Sequence, residues 1–326
     1  MTSIPPINAT LSGALSGPIN DLRSRIETVS AEAITGRYSD LVGQLDGRID
    51  QALLSQKAVD DISAERDQLN LRAARLEVTQ ASLTRVHETV GDLGVRLQTA
   101  ISFNDQSAIE FAAVEATAAL DEIFSALNTR YGQRFLFSGD ATDTVPFGDA
   151  NQLIEDVRTI ANAATDVADF EAQLDTYFND PAGGFQQNIY SGTADVSDPD
   201  AVTGIDPGLR PLISSLAVIA ATPPSQAPTF TTPTGTLLGD TANDLNDSRA
   251  RLTTLRADRG IQQQQIEQRL ISLDTEETVA TVAFNNLTVR DQFEAAAELR
   301  DLQTNIEAAF LLTNRLASLS LVNFLR

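Results

Sequence analysis

Cysteine is missing from the 326-residue chain, and lysine and histidine occur once each, as Lys57 and His87. Without thiols there is no disulfide framework and no Cys-based metal site. Such a chain is also indifferent to crossing from a reducing to an oxidising compartment. Basic groups are scarce, 23 against 45 acidic residues, and the net charge is −22. Binding along a phosphate backbone needs clustered Lys and Arg, so this balance argues against nucleic acid as a partner. The start, Met1-Thr-Ser-Ile-Pro-Pro, has neither the basic nor the apolar region of a secretory signal. Long apolar runs are lacking too; Leu216 to Ala221 falls far short of the ~20 residues that span a bilayer. By these tests alone the chain reads as cytosolic. Hydrophobic residues still make up 42% of it, enough to bury cores, which argues against wholesale disorder.

What the chain does have is periodicity. From Gln44 to Ile101 there is no proline, and Ile62, Leu69, Leu76, Leu83, Val90 and Leu97 recur at seven-residue spacing. A seven-residue apolar repeat keeps one seam of a helix turned towards a partner helix. Read as one helix, the stretch is roughly 85 Å long at ~1.5 Å per residue. Such a seam needs a partner from elsewhere in the chain. These six residues are the candidate intramolecular seam. Ahead of it, Ile19, Leu22, Ile26, Val29 and Ala33 mark a shorter helix that breaks near Gly36, preceded by a Pro-containing end, Met1 to Pro18, that reads as frayed. Asn104 or Asp105 caps a further helix whose buried face is Ile109, Ala112, Ala113, Ala116, Leu120, Ile123, Phe124 and Leu127.

After Arg134 the composition changes. Phe135 to Asp240 holds nine of the twelve prolines, nine of the eighteen glycines, fifteen acidic residues and only Arg158 and Arg210 as bases. It reads as a small inserted α+β domain, with one helix after Asp149, another opened by Asp206-Pro207, and short strands such as Phe185 to Tyr190. Helical periodicity returns at Thr241, which with Asp244 makes a capping box. Leu245, Leu252, Leu255, Ile266, Leu270 and Leu273 carry one face. Leu299, Leu302, Ile306, Ala309, Leu316 and Leu319 extend a seam almost to Arg326. The expected fold is mainly α: a long antiparallel coiled-coil rod made of the N- and C-terminal arms, with the insert between them. The expected divisions are 1–40, an N-terminal assembly helix; 41–134, the N-terminal arm; 135–240, the acidic insert; 241–285, the C-terminal arm; and 286–326, a C-terminal assembly helix.

No residue constellation points to catalysis, a cofactor or a metal. His87 lies close to the heptad seam with only Glu88 as an acidic neighbour in sequence, which suits a structural role better than a general base. Asp240, Asp244 and Asp247 lack the spacing of a calcium loop and read as helix-start carboxylates. Gly183-Gly184 has no following Lys and reads as a turn. Asp60-Asp61 and Glu276-Glu277 read as solvated helix surface. The signal that remains is the set of apolar seams. The two terminal helices have the least to pack on within one subunit, so Ile19, Leu22, Ile26, Val29, Leu299, Leu302, Ile306, Leu316 and Leu319 are the candidate subunit-interface residues.

Particular stretches resemble the flagellin superfamily of bacterial flagella. Leu22-Arg-Ser-Arg-Ile26 through Ala31-Glu-Ala-Ile-Thr-Gly-Arg37 is similar to the family's first helix and its stop, although Tyr38-Ser-Asp-Leu stands where the family's Pro-Ser-Asp-Asp-Pro segment falls. Arg259-Gly-Ile-Gln-Gln-Gln-Gln-Ile266, Phe293-Glu-Ala-Ala-Ala-Glu-Leu299 and Leu316-Ala-Ser-Leu-Ser-Leu-Val-Asn-Phe-Leu325 resemble its C-terminal helix. Tyr131-Gly-Gln-Arg-Phe-Leu-Phe-Ser-Gly139 with Thr144-Val-Pro-Phe147 resembles an element of the hook-associated members at the hook–filament junction. The resemblance implies a non-enzymatic structural subunit that self-associates in a ring and contacts a neighbouring hook-associated protein and flagellin. It also implies a flagellar export chaperone, and secretion through the flagellar type III route without a cleaved signal, with no membrane insertion. That reverses the cytosolic reading. A filament flagellin, or a soluble helical adaptor or signalling rod with a ligand-binding insert, are the alternatives.

If the terminal helices order only among neighbours, limited proteolysis of the purified monomer trims roughly the first and last 40 residues first; equal protection along the chain is the contrary outcome. A polar residue at Leu76 is expected to unfold the subunit, and one at Leu316 to leave a soluble monomer that does not assemble.

Overall fold

The computed structural model describes residues 7–226, 228 and 235–324, with side chains described for 17–226, 228 and 236–315. Among them the chain forms ten α-helices and one two-stranded hairpin, so the protein is mainly helical. The helices are α1 (Ile7–Thr35), α2 (Leu41–Leu45), α3 (Ile49–Val90), α4 (Leu93–Ser102), α5 (Gln106–Leu127), α6 (Ala150–Ala163), α7 (Val167–Asn179), α8 (Arg210–Ala221), α9 (Gly235–Thr288) and α10 (Gln292–Phe324). The hairpin pairs β1 (Arg130–Tyr131) with β2 (Arg134–Phe135). The chain divides into two compact units, residues 1–65 with 272–326 and residues 66–271. These boundaries fall inside α3 and α9, away from 40/41, 134/135, 240/241 and 285/286.

The stretch from Gln44 to Ile101 is three helices, not one. Asp46 and Gly47 take positive φ between α2 and α3, and Gly91 does so between α3 and α4. A residue in that region cannot continue a right-handed helix, and glycine reaches it with the least strain. Between these stops α3 has neither Gly nor Pro, so nothing interrupts its 42 residues.

In the unit 66–271, α3 and α4 run antiparallel to α9. Gln80 Nε2 donates to the Arg256 carbonyl at 2.6 Å, Arg256 Nη2 donates to Thr84 Oγ1 at 3.0 Å, and Gln98 Nε2 donates to Asn243 Oδ1 at 3.0 Å. Leu69, Leu76, Leu83, Val90 and Leu97 are all buried. Ile62, which belongs to the other unit, is half-buried. Asp105 caps α5 by accepting from Ala108 N, and α5 packs on α4, α6 and α8. The apolar run Leu216 to Ala221 ends α8, and all six residues are buried. A helix apolar on every face belongs in the centre of a core, and this one lies there.

Among its described residues, the segment from Phe135 to Asp240 has no core of its own. Its buried residues join one continuous cluster with Leu83 to Leu127 and Leu237 to Leu255. Asp149 caps α6 by accepting from Asn151 N. Asp206 accepts from Gly208 N in a turn, and α8 starts later, at Arg210. Phe185–Ile189 is a π-helix rather than a strand, and α7 is a further helix that the sequence pattern does not announce. Here the apolar residues satisfy an aromatic cluster: Phe147 lies 4.7 Å from Phe124 and 5.4 Å from Tyr190, and Phe185 lies 5.0 Å from Phe178. Thr241 is likewise inside α9, its hydroxyl donating to the Leu237 carbonyl, so it makes no capping box. Asp240, Asp244 and Asp247 therefore lie in the helix body rather than at its start. Burial, then Asp247 and Asp240, raise the Asp244 carboxyl above its ordinary pKa.

Gly94 sets how closely α4 approaches α9. A Cβ there would lie 2.6 Å from Asn246 Oδ1 and 3.0 Å from the Ala242 carbonyl, and the latter cannot rotate away. Gly94→Ala should destabilise the protein by about 1–3 kcal/mol, read as a lowered urea midpoint at unchanged slope, even though alanine favours helix. A variant as stable as the parent would mean the two helices separate freely.

Candidate assembly helices

The two terminal helices pack on each other. On α1 the apolar positions advance by three and four residues through Leu22, Ile26, Val29 and Ala33; on α10 they advance through Ala295, Leu299 and Leu302. Val29, Ala295 and Leu302 form a buried cluster with Leu22, Ile26, Ala33 and Leu299 packed around it. Pro18 lies inside α1, where it has no N–H to give the preceding turn.

The connectors at the ends of the two helices are tied together. Gly36 ends α1 at φ +67°, with its N–H donating to the Glu32 carbonyl at 2.8 Å. Arg37 and Val289 make an antiparallel bridge, Arg290 N donates to the Gly36 carbonyl at 2.9 Å, and Tyr38 N donates to the Thr288 carbonyl at 3.2 Å. Asp291 then caps α10, its Oδ1 accepting from Phe293 N at 2.7 Å.

Beneath this ladder lies a buried charge cluster. The Arg290 guanidinium is bonded to both Glu32 and Glu298. Glu32 also accepts from Ser39 N at 2.8 Å, Arg25 donates to Glu298 at 3.0 Å, and the Tyr38 ring centre lies 5.7 Å from Arg290 Cζ. The hydrogen bond from Arg290, and then that from Arg25, holds Glu298 below the usual carboxylate range. Arg290 and Glu32 thus balance in a place where an isolated charge could not persist, with Glu298 half-buried and Arg25 exposed at the rim.

Neither a family model nor a curated protein matches this chain.

Of the candidate interface residues, Val29 and Leu302 are buried within the α1–α10 pair, and Ile19, Leu22, Ile26, Leu299 and Ile306 are half-buried. Leu316 and Leu319 lie in α10 but outside the described side chains. The apolar residues left in solvent are others: Phe293 at 90% exposure, Ile34 at 77%, Leu311 at 66% and Leu312 at 59%. Ile34, Phe293 and Leu311 fall off the three- and four-residue stripe, so a search for periodicity passes over them; Leu312 stands three residues after Ala309 and is exposed all the same. Phe293 is marked in the sequence by its size between Asp291 and Glu294.

Among the described residues no group of three or more acidic, His or Cys side chains is placed to hold a metal ion, and no helix is long and apolar enough to cross a membrane. His87 is half-buried and its pKa is lowered, first by burial and then by Arg249 and Arg256.

Arg290→Ala leaves Glu32 buried without its partner and should cost about 3–5 kcal/mol in urea unfolding, whereas replacing Glu32 and Arg290 together with apolar residues should recover much of the loss. The pH dependence has a fixed sign. Glu298 has a depressed folded pKa, so its contribution is complete above its ordinary value of 4.5 and is lost as pH falls through the lowered one. Stability measured between pH 6 and pH 3 should fall less steeply in Glu298→Gln than in the parent.

Proposed function

We propose that this chain is a structural subunit of the bacterial flagellum, of the hook-associated kind that joins hook to filament. In this reading its N- and C-terminal arms pair as an antiparallel coiled coil, and its terminal helices contact neighbouring subunits in a ring. The subunit is secreted by the flagellar route, meets a hook-associated protein on one side and flagellin on the other, and leaves its acidic 135–240 segment towards solvent.

The observation that carries the proposal is the pairing of α1 with α10. The two ends of the chain fold on one another through a narrow apolar stripe, and large apolar side chains such as Phe293 and Leu311 stay in water. Exposed apolar groups on a helix pair are what a second helix layer covers. The junction-like element gives further support. Phe137, Ser138 and Gly139 are buried, and the Asn128 side chain holds the Phe147 backbone from both sides, accepting from its N–H at 2.9 Å and donating to its carbonyl at 3.0 Å. Gly139 has φ +64°, and a Cβ there would lie 2.5 Å from the Thr193 carbonyl, which explains why glycine ends the Phe-Leu-Phe-Ser-Gly run.

Immunogold labelling of isolated flagella tests the location. Label confined to the base of the filament, together with a deletion strain that makes hooks without stable filaments, is the expected result. Label along the whole filament assigns the chain as a flagellin instead, and no label on flagella removes the proposal. Phe293→Ser with Leu311→Ser should leave the circular dichroism spectrum and melting of the monomer unchanged and abolish its assembly, since neither side chain is used inside the subunit.

A further inference from the structure

Within the unit 66–271, one edge of the α3–α9 pair is electrically neutral. Arg72 pairs with Asp200 and Arg75 with Asp198. Elsewhere in this unit Arg85 pairs with Glu122 and Arg96 with Glu115. The opposite edge differs. Thr84 and His87 lie one turn apart on one face of α3, and Arg249 and Arg256 lie two turns apart on one face of α9. The bond from Arg256 Nη2 to Thr84 Oγ1, 3.0 Å, and that from Gln80 to the Arg256 carbonyl hold these faces side by side. His87 feels both arginines, and Glu88 on its own helix acts against them. None of the three bases makes an ion pair among the described residues. The Nε atoms of Arg249 and Arg256 are buried without a hydrogen-bond partner.

A chain with 22 surplus negative charges has acids to spare for every base. Two arginines drawn together beside His87 with no ion pair among the described residues is a local conflict, and folded chains keep such conflicts where something outside the fold resolves them.

We propose that this cationic edge, formed by Thr84, His87, Arg249 and Arg256, docks a carboxylate of a second copy of the chain. The proposal rests on the self-association stated above, but not on the flagellar location. Charge complementarity selects the partner. Each copy is strongly acidic, with fifteen acids against two bases in residues 135–240 alone. Two such copies repel one another at long range. A cationic edge on such a surface attracts an acidic copy in particular orientations, and so fixes the register of the contact more than its strength. Thr84, already bonded to Arg256, keeps that guanidinium in place.

The test uses the purified full-length protein in sedimentation experiments at one fixed ionic strength. An R249Q/R256Q variant should associate at least about tenfold more weakly than the parent. Because R256Q also removes the Arg256–Thr84 bond, R249Q alone, which keeps it, should weaken association in the same direction at an unchanged melting temperature. An R85Q/R96Q variant has the same change in net charge and should associate as the parent does. A zero-length carbodiimide coupling of an R249K variant, with one copy isotopically labelled, should join the new amine to a carboxylate of the other copy. Equal association of R249Q/R256Q and the parent, equal weakening in both double variants, couplings within single copies only, or a parent that stays monomeric would each overturn the proposal. Association through this edge by a protein that is absent from flagella would remove the flagellar reading and leave this one standing.

Discussion

A helix with a narrow apolar stripe cannot keep that stripe in water, and in this chain the cover comes from far along the sequence. The stripe of α1 is covered by α10, and α4 by α9. Each long helix thus depends on a partner that closes a loop of many residues. Loop-closure entropy grows only slowly with length, so such distant pairing is tolerated. The stabilisation comes from apolar area removed from water, at about 25 cal/mol per Å². The polar contacts between helices set alignment. Gln80 on the Arg256 carbonyl and Gln98 on Asn243 fix how α3 and α4 lie against α9, and the Arg290 cluster fixes α1 against α10.

The helical part of this design was legible because it depends on spacing. The positions Leu69 to Leu97 and the face from Ile109 to Leu127 could be read as buried from their period alone. What broke the long helix was also in plain view, since Gly47 and Gly91 are visible in the sequence. Their left-handed conformation is not, because a glycine inside a helix and a glycine that ends one look the same without the backbone. The segment 135–240 was less legible for a different reason. Its residues pack into a core shared with α3, α4, α5 and α9, so no local period governs them. The run Phe185 to Tyr190 reads as extended by composition, but it coils into a π-helix because Phe185 has to reach Phe178 and Tyr190 has to reach Phe147. Thr241 reads as a helix start because it stands three residues before an acid, but that is a start signal only where the helix starts, and α9 begins at Gly235.

Charge was legible in total and not in arrangement. A net charge of −22 excludes partners, but it does not reveal that Arg290 lies buried between two glutamates, or that Arg249 and Arg256 turn towards His87. Those placements need residues that are distant in the chain to be brought to one spot. The terminal helices show the same limit. Periodicity identifies the residues spent inside the α1–α10 pair, and the ones left over, such as Phe293, are identified only by where they end up.

Arg25 and Glu298, bonded to each other, are separated by 273 residues. At the ~5–20 residues per second of protein synthesis, α1 exists for roughly 15–55 s before its partner residues are made. Throughout that interval the stripe Leu22–Ile26–Val29 is a short apolar face with nothing of its own chain to cover it. α1, made well before α10, is therefore among the last parts of the molecule to be able to finish folding. Any factor that binds α1 during synthesis competes with water alone, and not with the fold.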